Sequence, residues 1–324
     1  MNRKLFALVA SAALVALAAT PLRAQTWDMP TPYAPANFHT VNIEKFAEGV
    51  KTATGGKLVI KVHSGASLYK MPEIKRAVQT RQVPIGEVLM VTLVNDNALY
   101  AVDGLPFLAT SYADAQKLWR VQRPYIERVL DAQGLRLLFA VPWPPQGLLT
   151  AKEINSVSDL EGLSFRAYDK QTSRLGELIK ARPVTIQAAE VAQALATGKI
   201  NSLMSSAQSG VDYKAWESLK YFYDVQAWLP KNMVIVNKAA LGALDKAEQE
   251  ALLAEGKKAE ALGWAASSEI AEQMKQKLVS QGMKAPVPSP KLVADLNRIG
   301  KQLTEEWLVD AGPDGKAMVD AYQK

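Results

Sequence analysis

The chain has no cysteine and only two histidines, His39 and His63, among its 324 residues. The first absence excludes disulfides, thiolate metal sites, cysteine nucleophiles and lipid attachment through an N-terminal cysteine. The second leaves little material for multi-histidine metal centres or histidine-based triads. Neither histidine stands beside a nucleophile elbow, and both read as surface or structural residues. Also missing are a Walker-type phosphate loop, G-x-G-x-x-G, H-E-x-x-H and G-x-S-x-G. The acid pairs Glu305/Glu306 and Asp310/Asp314 sit in polar sequence and read as solvent-facing. Nothing here asks for catalysis, and no cofactor or metal is implied.

What is present begins with an address. Asn2-Arg3-Lys4 is a short positive segment, followed by an apolar run over 5–20 and then Pro21-Leu22-Arg23-Ala24. This is the pattern of an export signal cleaved near Ala24. A membrane anchor is the alternative, but a spanning helix wants about 20 apolar residues and Pro21-Leu22-Arg23 interrupts early. The segment carries three basic residues and no acid, so cleavage halves the net charge from +6 to +3. A basic nucleic-acid binder is therefore not implied. No later segment is long and apolar enough to span a membrane, and the expected destination is a bacterial periplasm.

The rest alternates. A strand opens at 27–33, and a helix over 37–52 places Phe38, Val41, Ile43, Phe46 and Val50 on one side. Strand-like runs at 57–63, 85–94 and 135–141 are separated by helical patterns at 72–82 and 113–133. Trp143-Pro144-Pro145-Gln146-Gly147 reads as a stiff crossing into a second block. That block holds strands at 148–151, 163–167 and 183–186, helices at 173–180 and 188–197, and a last strand at 233–236 after Pro230. From 245 to 281 strong helix formers dominate, with Gly256 and Gly263 as weak points. Such a helix is roughly 55 Å long, so it either breaks or bridges two lobes. A further helix follows over 288–304. The pattern predicts an α/β protein of two lobes linked more than once.

One segment carries chemistry. In Asp159-Leu160-Glu161-Gly162-Leu163-Ser164-Phe165-Arg166, strand alternation turns Ser164 and Arg166 away from Leu163, Phe165 and Ala167. A guanidinium is a planar fork that can grip a carboxylate through two charge-assisted hydrogen bonds. An ordinary strand-end arginine is the plain alternative.

Taken together, these segments resemble the solute receptors of the tripartite ATP-independent periplasmic (TRAP) transporters, the DctP-type extracytoplasmic binding proteins. The resemblance spans the chain after the export signal. It rests on that signal, on Ser158-Asp159-Leu160-Glu161-Gly162 leading to Arg166, on Ala189-Glu190-Val191-Ala192-Gln193-Ala194-Leu195, and on the long helix after residue 244. Asp103-Gly104-Leu105-Pro106-Phe107 and Leu137-Leu138-Phe139-Ala140 add to it. It implies a two-lobe periplasmic-binding-protein-like fold with a central cleft and a long helix bridging the lobes. The expected division is 1–24 as export signal, 25–143 with about 232–271 as the first lobe, and 144–231 with about 272–324 as the second. It further implies that Arg166 makes a salt bridge to a ligand carboxylate and that a membrane permease receives the ligand.

Departures from the family narrow the ligand. Some relatives, the sialic acid receptors among them, have a second ligand-facing arginine where this chain has Gln146, so a second carboxylate clamp is not expected. The Asp-Gly-x-Glu-Asn-Pro-like stretch of many relatives reads Asn201-Ser202-Leu203-Met204-Ser205-Ser206, which puts Ser205 at the position of a ligand-binding asparagine. Ala188 replaces an aromatic. Trp143 and Trp228, at the two crossings, either face the cleft or pack beneath the prolines. Tyr33 and Phe38 at the first strand-to-helix turn, Asn232 after Pro230-Lys231, and Glu87 complete the candidate set. For Glu87 a peripheral salt bridge is the alternative. The expected ligand is an organic acid, a monocarboxylate with an apolar or aromatic body. An exported enzyme on the same scaffold, or a receptor presenting ligand to a membrane sensor, are the other readings.

Overall fold

The computed structural model describes residues 24–324; residues 1–23 of the expected export signal lie outside the described residues. The chain opens with β1 (Gln25–Pro30), after which Asn37 starts α1 (Phe38–Ala53), its side-chain oxygen accepting from the His39 N–H. β2 (Leu58–His63) returns parallel to β1. α2 (Met71–Gln79) leads into β3 (Ile85–Leu89), every residue of which is buried. Two short 3-10 turns, Met90–Leu93 and Ala98–Gly104, then carry the chain to α3 (Tyr112–Ala132) and β4 (Leu135–Pro142).

The second lobe is one five-stranded sheet. It contains β5 (Gln146–Thr150), β6 (Ser164–Ala167), α4 (Lys170–Leu178), β7 (Arg182–Thr185), α5 (Val191–Ala196), β8 (Ser202–Ser206), α6 (Ala207–Asp212) and β9 (Tyr221–Tyr223). The strand order is β7-β6-β8-β5-β9, parallel around β6 and antiparallel around β5. The chain then returns through β10 (Lys231–Asn237), which inserts between β3 and β4 and runs antiparallel to both.

The outward and return crossings lie side by side and are hydrogen-bonded. Trp143 N–H donates to the Pro230 carbonyl at 2.8 Å, Gln146 N–H to Trp228 at 2.9 Å, and Ala227 N–H to Gln146 at 2.8 Å. Lys231 anchors the return: its Nζ and its backbone N–H both donate to Asp103 Oδ2, and both side chains are fully buried. Burial opposes charge on each partner, raising the Asp103 carboxyl and lowering the Lys231 ammonium.

After α7 (Lys238–Gly242), α8 runs unbroken over Lys246–Ser280, 35 residues or about 50 Å. Asp245 and Glu248 form a capping box at its start. The helix packs on α1 and β4 of the first lobe and on α6 of the second, so it bridges. Of the two glycines read from sequence as weak points, Gly263 is a point of close approach and Gly256 makes ordinary contact. A Cβ on Gly263 would lie 2.4 Å from Val141 Cγ2, and one on Gly256 3.5 Å from the Leu138 carbonyl oxygen. α9 (Pro290–Gln323) bends at Gly312 (φ 60°, ψ −152°), just before Pro313. Its first half buries Leu292, Leu296, Ile299 and Leu303 in the second-lobe core. Its second half puts Trp307, Met318, Val319 and Tyr322 into the core of the first lobe. α9 thus also spans the lobes, where the sequence division gave 272–324 to the second lobe alone.

Candidate functional site

Where the lobes meet there is a small cavity, about 30 Å³ measured as the space open to the centre of a water molecule. Its walls differ in chemistry. From the second lobe and its crossing come Gln146, Arg166, Tyr168, Gln187, Ser205, Ser209 and Tyr213; from the first come Tyr33, Met71, Leu89 and Trp143. One side is cationic and polar, the other aromatic and aliphatic. A larger groove of about 600 Å³ runs between α3 and α8 on the outside of the first lobe. Arg123 and Glu260 in that groove already pair with each other at 2.9 Å, and it does not lie between the lobes.

Arg166 dominates the polar wall. β6 lies inside the sheet between β7 and β8, which leaves the side chain 5% exposed. Its Nε donates to the Ile186 carbonyl at 2.9 Å, and its guanidinium lies over the Tyr168 ring at 4.6 Å. It makes no salt bridge among the described residues. The nearby acid Asp169 caps α4 through Oδ1, which accepts from the Thr172 N–H at 2.7 Å, while its buried Oδ2 has no hydrogen-bond partner among the described residues. Burial pushes the Asp169 carboxyl up to about 6, with the Thr172 hydrogen bonds and the Arg166 charge opposing the rise.

The first-lobe wall is held from behind. Tyr33 O–H (3.1 Å) and Trp143 Nε1–H (2.9 Å) both donate to Asn232 Oδ1. Asn232 Nδ2 donates to Glu87 Oε1 at 2.9 Å, and Thr31 Oγ1 to Glu87 Oε2 at 2.6 Å. Burial raises the Glu87 carboxyl from an ordinary 4.5 to about 7, against the opposing pull of those two hydrogen bonds. His39 Nδ1 is 3.5 Å from Glu87 Oε1, and burial holds its imidazole well below 6.5, hence neutral. The His39 ring packs on Phe38 at 4.0 Å and on Trp143 at 4.5 Å. At the rim, Asn37 Nδ2 reaches across to Asp212 Oδ2 of α6 at 2.7 Å. The residue that caps α1 thus also ties the lobes together.

Of the residues expected from sequence, Arg166, Gln146, Trp143, Ser205 and Tyr33 line the cavity. The other four stand behind it. Phe38 packs edge-on against Trp143 at 5.5 Å, and Glu87 and Asn232 form the buried network just described. Trp228 packs in the second-lobe core and meets the site through its carbonyl, which accepts from Gln146 N–H. Tyr168, Gln187, Ser209 and Tyr213 escaped sequence reasoning, whereas His39, read as surface or structural, is buried behind the wall. Tyr168 had a usable signal, two residues after Arg166 and so on the same strand face. Ser209 and Tyr213 had none without α6 in hand.

Two α/β lobes, paired crossings and a cavity walled by a buried arginine that makes no salt bridge among the described residues define a solute-binding protein of the two-lobe class. Residues 33–309 match the DctP profile, bacterial extracellular solute-binding protein family 7, and the chain belongs to that family. It is a TRAP-type solute receptor. DctP6, a Bordetella pertussis extracytoplasmic solute receptor binding pyroglutamic acid, is 48% identical, with a TM-score of 0.91 over 92% of this chain and 99% of that one. DctP7 of the same organism, also binding pyroglutamic acid, is 42% identical, with a TM-score of 0.92 over 93% and 100%. A marine metagenome TRAP solute binding protein specific for pyroglutamate is 42% identical, with a TM-score of 0.91 over 93% and 99%. No helix among the described residues is long and apolar enough to cross a membrane.

Proposed function

We propose that this chain is exported to the periplasm, where it encloses a small cyclic monocarboxylate of the pyroglutamate class and delivers it to a membrane permease. The observation that carries the reading is Arg166: a buried guanidinium on the cavity wall that makes no salt bridge among the described residues. A buried charge is costly unless paired, so the site is built for an anion to complete it. The ligand carboxylate takes the guanidinium fork, and its ring lies against Trp143, Leu89 and Met71. The limited space suits a single small ring. Solved relatives at 42–48% identity bind pyroglutamate, which has that size and that one carboxylate.

Closure of the lobes excludes water from the ion pair and so strengthens it. It also forms the surface offered to the permease, and ligand drives it by binding the closed state better. The test is thermal unfolding and calorimetry with L-pyroglutamate. The native protein is expected to gain stability with ligand by mass action, and Arg166→Ala to bind at least about a hundredfold more weakly while melting normally without ligand. Undiminished binding by Arg166→Ala sinks the carboxylate clamp. Mass spectrometry of the protein as purified under native conditions is expected to show a co-purified small acid.

A further inference from the structure

The hydrogen bonding behind the cavity fixes what the first lobe can offer a ligand. Among its cavity-lining residues, Tyr33, Met71, Leu89 and Trp143, only the Tyr33 O–H and the Trp143 N–H are side-chain donors. Both are spent on one atom, Asn232 Oδ1. The orientation of that amide is not free. An indole N–H can only donate, so the atom facing it is the carbonyl oxygen. Nδ2 must then face Glu87 Oε1, which accepts at 2.9 Å. Glu87 is in turn held by Thr31 at 2.6 Å. The chain of donors runs one way, from the aromatic pair into the carboxylate. What remains on Tyr33 is oxygen lone pairs.

We propose that Glu87 and Asn232 set ligand specificity without lining the cavity. They hold Tyr33 as a hydrogen-bond acceptor, so the receptor takes a ring acid presenting an N–H toward the first lobe and rejects one presenting an acceptor there. The preferred class is a lactam carboxylate, with its acid on Arg166 and its ring N–H on Tyr33 Oη. A ring oxygen or a second carboxylate in that place meets lone pairs and no donor. This rests on the carboxylate-clamp reading and deepens it.

The experiment compares two ligands of one shape by calorimetry: L-pyroglutamate and the corresponding lactone carboxylate, with ring oxygen in place of N–H. The native protein is expected to bind the lactam at least about tenfold more tightly. In Tyr33→Phe that preference is expected to shrink to within about twofold, because the acceptor is gone. The paired variant Glu87→Leu/Asn232→Leu replaces both buried partners by apolar groups and frees the Tyr33 hydroxyl to donate. It too is expected to lose the preference. Equal binding of lactam and lactone by the native protein, or an unchanged ratio in Tyr33→Phe, overturns the proposal and leaves the clamp standing. If neither ring binds, the ring-acid reading falls and this proposal falls with it.

Discussion

At the scale of single residues, the site is a set of commitments already made. Arg166 gives Nε to Ile186, Gln146 gives Nε2 to Pro144, and Tyr33 and Trp143 give their protons to Asn232. Behind them, Glu87 accepts from Asn232 and Thr31 while fully buried. It titrates near 4.5 when unfolded and near 7 when buried. Between those values the native state holds a proton that the unfolded chain has released. Its contribution is therefore fully present below about 4.5, is lost as pH rises, and levels off above about 7. Glu87→Gln keeps an acceptor for Asn232 and removes the ionisation. The variant is expected to gain on the native protein, by on the order of 3 kcal/mol, between about pH 4 and about pH 8. Denaturant midpoints at the two pH values check this; a difference independent of pH would show that Glu87 titrates normally. Arg166 was legible from strand alternation and family likeness. The role of Asn232 was not, because an amide one residue past a buried lysine carries no sign of which side chains end on it.

Among the elements, the long amphipathic ones were readable, and so were the short buried strands rich in apolar or β-branched residues, β5, β6 and β10. α1, α3, β2 and β4 fall within a residue or two of their expected positions. β8, α6 and β9 were missed. Ser202–Ser206 is buried throughout, so it shows no alternation, and its three serines are poor strand formers. α6 has six residues, too few for a helical period to show. The stretch from 188 reads as one helix but begins with a 3-10 turn, Ala188–Glu190, before α5. Sequence weighed glycine in α8 only as a propensity cost, whereas in space Gly263 lets the helix lie against Val141 and Asn42. Glycine to alanine inside a helix ordinarily stabilises by about 1 kcal/mol. Gly263→Ala is expected to do the opposite, lowering stability by about 1–3 kcal/mol through overpacking. Gly242→Ala, with nothing within 4 Å of the added carbon, serves as the control and is expected not to destabilise. A thermal melt of both variants decides it.

For the whole molecule, the closed arrangement has a tie outside the cavity. Asn37 and Asp212 hold the rim from opposite lobes, and Gln208 Nε2 donates to the second Asp212 oxygen at 2.7 Å. Asp212→Ala removes a hydrogen bond to a carboxylate without touching the cavity wall. Ligand-free protein is expected to populate the open form more, seen as a larger radius of gyration by solution scattering. Affinity for L-pyroglutamate is expected to fall about tenfold, because closing then costs more of the binding energy. An unchanged radius together with unchanged affinity would mean the tie adds nothing to closure.

The placement of β10 bears on how the chain comes to be folded at all. Its seven residues are the middle strand of the first-lobe sheet, yet the whole second-lobe sheet, from Gln146 to Tyr223, is strung between them and β4. A chain emerging from its N-terminus has both outer strands of the first sheet in hand and nothing to join them. That lobe cannot close until the other has been delivered, and closing it means shutting a loop of some ninety residues. The second-lobe sheet has no such debt, since its five strands are contiguous in sequence, although its core is completed only by Leu292, Leu296, Ile299 and Leu303 of α9. For the sheets, the order this topology favours is inside out: the inserted strands can pair first and bring the two crossings together, after which the sheet that began the chain acquires its central strand.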